Sequence, residues 1–117
     1  MKEKLRRIIT YYGIKKQLKY FQSEVFELNE AIIKYDNDRI EKIAANITRL
    51  GNPRYMPFGI RNIADEIADV FVMLEQFRIY YGIPSEKIKE IVDYKIDRQL
   101  KRIELEEKEE EEYETMD

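Results

Sequence analysis

The chain has 117 residues, 44% apolar and 38% charged, with no cysteine, no histidine and a formal net charge of −3. That length allows one modest core. The missing residues exclude disulfides, thiolate or imidazole metal sites, and histidine-based acid–base or nucleophilic chemistry, so any metal must be a hard, oxygen-liking ion, Mg²⁺ first and Mn²⁺ second.

Residues 3–12 read as a short amphipathic helix with Leu5, Ile8, Ile9 and Tyr12 inward, ending at a bend or cap on Gly13. From Ile14 a regular seam of Ile14, Leu18, Phe21, Val25, Leu28, Ile32 and Tyr35 alternates steps of four and three, the pattern of a helix packed along its length. Asp36, Asn37 and Asp38 offer capping oxygens to a helix with Ile40, Ile43, Ala44, Ile47 and Leu50 on one face, stopped by Gly51. The loop GNPRYMPFG (51–59) follows, with Tyr55 and Phe58 as lid candidates. The next helix runs from about Ile60 to Tyr81 with a seam of Ile63, Ile67, Val70, Leu74, Phe77 and Tyr81. After Gly82, Pro84 and Ser85 restart the chain into a last helix, about 85–108, with Ile88, Val92, Ile96, Gln99 and Ile103 on one side and Lys95, Arg98 and Arg102 stacked beside them.

These elements predict an all-α fold, a four- to five-helix bundle forming one domain over residues 1–105. Residues 106–117 lose the apolar period and read as an acidic, disordered tail. Residues 104–117 hold nine acids against Lys108, a local −8 that leaves +5 on the rest. The −8 tail and the absence of a basic cluster argue against a nucleic-acid partner. The N-terminus lacks an apolar run ending in a cleavage site, and nowhere do 18 apolar residues stand together, so the expected setting is the cytoplasm without membrane contact.

Two acidic steps carry the chemistry. Glu24 with Glu27, and Glu66 with Asp69, stand three residues apart inside apolar helical runs, so each pair shares a helix surface. Each acid directly precedes a seam residue, which puts both pairs on equivalent faces. The acids share a second stripe with Gln17, Tyr20 and Ala31 in one helix and with Asn62, Met73 and Tyr80 in the other. Carboxylates beside a buried seam need a compensating charge, and a divalent cation lets four of them stay ionised together. We read them as one four-carboxylate Mg²⁺ or Mn²⁺ site. A cation beside the stripe Lys95, Arg98 and Arg102 suits a polyphosphate.

The segments YGIKKQL (12–18), SEVFELNEAI (23–32), DEIADV (65–70) and DYKIDRQLKR (93–102) resemble the MazG-like nucleotide pyrophosphohydrolases, all-helical relatives of the dimeric dUTPases and of phosphoribosyl-ATP pyrophosphohydrolase. Their hallmark is E-E-x-x-E followed by E-x-x-D. The resemblance implies Glu24, Glu27, Glu66 and Asp69 as Mg²⁺ ligands, and in the mechanism we expect, Glu27 or Glu24 draws the proton from the attacking water. It implies Lys95 and Arg98 as phosphate contacts and places Gln99 near the nucleoside; by their stripes, Arg102 beside the first two and Gln17 beside the acids are further substrate-binding candidates. Ser23 stands where many members carry the first Glu, and 38 residues separate Glu27 from Glu66, more than in the compact members. The implied reaction is (d)NTP and water to (d)NMP and pyrophosphate, by a homo-dimer or homo-tetramer. The alternative is a non-catalytic helical interaction module whose acids form salt bridges.

Overall fold

The computed structural model describes residues 1–115 and is all-helical: α1 (Lys2–Tyr12), α2 (Ile14–Asn37), α3 (Arg39–Gly51), α4 (Phe58–Tyr80) and α5 (Ser85–Thr115). The chain is thus an all-α helical bundle. The starts of all five helices, and the ends of all but α5, fall within about two residues of those expected from the sequence, the usual uncertainty of a helix end. The chain packs as two units, Met1–Tyr81 and Gly82–Asp117. Among the described residues no helix is long and apolar enough to cross a membrane.

In the first unit, Leu5 and Ile9 of α1 are buried, and α1 packs on α4 and α2. Gly13 joins α1 to α2 at φ 85°, ψ 155°, a backbone region open to glycine, and its N–H closes α1 on the Ile9 carbonyl at 2.8 Å. Asp38 caps α3 as its position suggested, its carboxylate accepting from the Glu41 N–H at 2.9 Å. Glu41 in turn accepts the Gly59 N–H in the first turn of α4. The side chain of one helix thereby satisfies an orphan donor at the start of another.

Helices α2 and α4 form the main pair and run antiparallel. Gln17, early in α2, donates to Gln76, late in α4, while Ala31 and Asn62 border one cavity at the opposite end. The buried residues of the pair are Gln17 and Ala31 on α2 and Met73, Gln76 and Ile79 on α4.

This corrects the expected seam. Gln17, Ala31, Met73 and Gln76 each stand one residue ahead of a predicted seam position, and one residue is about 100° of helix rotation. Leu18, Ile32, Ile67 and Leu74 are 44–52% exposed. Phe21 and Phe77 do meet, edge to face at 5.4 Å, so the apolar line lies at the margin of the contact. A polar line can occupy its centre because its amides satisfy each other: Gln17 Nε2 donates to Gln76 Oε1 at 2.8 Å, and Gln76 Nε2 lies 3.7 Å from Met73 Sδ. The expected face of α3 also points outward. Ala45 is buried, whereas Ile40, Ile43, Ile47 and Leu50 are exposed.

The second unit holds α5, none of whose residues is buried. The helix continues to Thr115, through residues assigned by composition to a tail; residues 116–117 of that segment lie outside the described residues. Glu, Lys and Leu are all strong helix formers, so loss of the apolar period removes a packing face without removing helical propensity.

Candidate functional site

The turn of α4 at Glu66 and Asp69 faces the turn of α2 at Glu24 and Glu27. Half-buried Glu24 and Glu66 and exposed Asp69 each present a carboxylate oxygen, and these oxygens lie within 4.8 Å of one another. Oε2 of Glu24 and Oε2 of Glu66 are buried without a hydrogen-bond partner. Oxygens in that position either take up a proton or need a cation. Both carboxyls are pushed above the ordinary glutamate range, first by burial, then by the charge of Glu27, and then by Asp69 and, for Glu24, Glu66.

The ion pairs Asp36–Lys42 at 2.7 Å, Glu75–Arg78 at 2.8 Å and Lys87–Glu90 at 3.7 Å leave the four acids out. The donor set therefore fits a hard divalent ion. It is all oxygen, and opposite ligands of a bound Mg²⁺ stand about 4.2 Å apart, so three oxygens within 4.8 Å need only small rotations to share one.

Glu27 is exposed and sits beside that trio. It borders a cavity of about 430 Å³ together with Glu66, Asn62 and Lys34. Lys34 lies outside the acidic stripe and the basic stripe of the sequence, but it continues the line of Glu27 and Ala31 by one turn, which is the signal that finds it. Asn62 did share the acidic stripe of α4, one turn ahead of Glu66. Ser23 is exposed on α2.

Gln17, expected at the substrate, is instead buried in the α2–α4 contact with its amide engaged by Gln76. Lys95, Arg98, Gln99 and Arg102 all stand exposed on α5, in the second unit, with the Arg98 guanidinium 6.0 Å from the centre of the Tyr94 ring.

No protein-family model, curated protein or solved structure matches the chain.

Proposed function

We propose that the protein is a Mg²⁺-dependent nucleoside triphosphate pyrophosphohydrolase that cleaves between the α and β phosphates, releasing a monophosphate and pyrophosphate. The observation that carries this reading is the pair of buried, unpartnered oxygens on Glu24 and Glu66, converging with Asp69. Glu24, Glu66 and Asp69 would hold the ion, with Mn²⁺ as a substitute. When bound, Mg²⁺ supplies charge neutralisation for the triphosphate and polarises the attacking water.

The remaining work falls to the chain's own groups. Glu27 borders the cavity and is exposed, so its carboxylate can accept the proton of the attacking water with Ser23 in place of an additional acid. Lys34 borders the same cavity, and its ammonium would take up charge on the phosphate oxygens. The outward apolar residues of α2, α3 and α4 belong to a homo-oligomer interface.

A non-catalytic module held by salt bridges is the competing reading, and the ion pairs of Asp36, Glu75 and Glu90 leave all four acids out. The deciding assay incubates the protein with each NTP and dNTP and Mg²⁺ and measures monophosphate and pyrophosphate. We expect turnover that falls at least ~100-fold in Glu66→Gln, the order of effect seen on losing a group that stabilises transition-state charge. No turnover of any nucleotide, or full activity in Glu66→Gln, would sink the enzymatic reading.

A further inference from the structure

A second cavity of about 470 Å³ lies at the start of α4, bordered by Met56, Phe58, Arg61, Asn62 and Asp65. Asn62 also borders the cavity that contains Glu27 and Glu66, so the two hollows share a wall. Their linings differ in kind. One has carboxylates and Lys34; the other has an aromatic ring and a thioether beside an amide, a guanidinium and a carboxylate. Phe58, Asn62 and Glu66 follow at one-turn intervals on a single helix, which spaces the backbone positions of Phe58 and Glu66 by roughly 12 Å. A nucleoside triphosphate presents the same succession over that length: a flat base, a sugar, then phosphates.

We propose that the hollow bordered by Met56, Phe58, Arg61, Asn62 and Asp65 holds the base of the nucleotide whose phosphates lie against Glu27 and Glu66, and that it favours bases with an exocyclic amino group. The inference rests on the hydrolytic reading for the placement of the phosphates. The Phe58 ring, 72% exposed, has a free face for stacking, which tolerates any base. Discrimination then falls to the polar groups. The Asp65 carboxylate can only accept hydrogen bonds and the Arg61 guanidinium beside it can only donate them, so together they match an amino group next to a ring-nitrogen acceptor, as in adenine, cytosine and guanine, whereas the single N–H of uracil and thymine brings flanking carbonyls against Asp65. Asn62, donor and acceptor at once, stands at the junction where the sugar passes.

The test is an NMR titration of the whole isotope-labelled protein with Mg²⁺ and AMP, CMP, GMP or UMP, with ribose 5-phosphate as the probe that lacks a base. Signals of residues 56–65 should shift with AMP, CMP and GMP and stay in place with ribose 5-phosphate, and UMP should bind ~10-fold more weakly. Phe58→Ala should weaken nucleotide binding ~10-fold, in line with the loss of a stacking ring. Asp65→Asn should narrow the gap between UMP and the others. Equal shifts with ribose 5-phosphate, no shifts at 56–65, or unchanged binding in Phe58→Ala would overturn the proposal. The hydrolysis assay reads the other claim separately: base-dependent shifts without turnover remove the enzyme and keep the hollow, and turnover without those shifts does the reverse.

Discussion

Glu24 and Glu66 are ordinary helix residues that become costly once α2 and α4 close on them. Their carboxyls bind protons more tightly in the folded chain than at the ordinary glutamate value of 4.5, so folding is favoured where both are protonated and loses that support as pH rises through the raised values. Without metal, the double variant Glu24→Gln/Glu66→Gln should match the wild type below pH 4.5 and melt at least a few degrees above it at neutral pH. Saturating Mg²⁺ should stabilise the wild type alone. Thermal melts at several pH values, with and without metal, check both statements, and a wild-type melting temperature indifferent to Mg²⁺ would count against the site. The neighbouring amide pair makes an opposite demand. Gln76 is 1% exposed, so Gln76→Leu should cost about 1–3 kcal/mol by leaving the Gln17 amide unpaired. Gln17→Leu/Gln76→Leu should recover much of that loss, as a denaturant double-mutant cycle would show.

At the scale of the helix, the start of α4 is pinned from outside. A methyl group on Gly59 would lie 2.5 Å from both Glu41 Oε1 and Tyr35 Cδ2, so the close approach of α3 and α2 requires glycine there. Gly59→Ala usually gains up to about 1 kcal/mol in a helix, yet overpacking costs about 1–3 kcal/mol. We therefore expect net destabilisation by urea denaturation, with the hollow of Phe58 and Asn62 distorted in step.

Helix positions were legible because capping residues, glycines and the three-four spacing act locally; Asp38 and Gly13 behave as their chemistry dictates. Which face turns inward was not. Periodicity reports where the large apolar residues are, whereas burial went to a line that includes Gln17, Ala31 and Gln76, because amides that pair across helices can be buried and small residues allow close approach. Register between the acidic pairs survived that rotation, since both helices turned by the same one residue, and Glu24, Glu66 and Asp69 meet as a result. Lys34 and the Phe58 hollow were hidden for a different reason: each needs two segments to define it.

For the molecule as a whole, the rotated helices leave many apolar side chains outside. Because α2 and α4 are antiparallel and both are turned the same way, Leu18 and Ile32 fall on the same side of the pair as Ile67 and Leu74. Patches of that kind are rare on monomers. Sedimentation at micromolar concentration should give a multiple of the 14.2 kDa chain mass, and Ile67→Asp should lower it toward one chain while leaving the helical content intact. A wild-type protein that sediments as a single chain would refute the assembly.

The antiparallel pair also has a local two-fold symmetry. Gln17 answers Gln76 across it, Glu24 answers Asp69, and Glu27 answers Glu66. The acidic steps are therefore related as two half-sites, which differ by a single methylene between Glu24 and Asp69 and by burial, Glu66 being half-buried and Glu27 exposed. Exchanging the two, with Glu24→Asp and Asp69→Glu together, conserves both reach and charge across the axis, so the Mg²⁺-induced rise in melting temperature should survive the swap while either single change diminishes it.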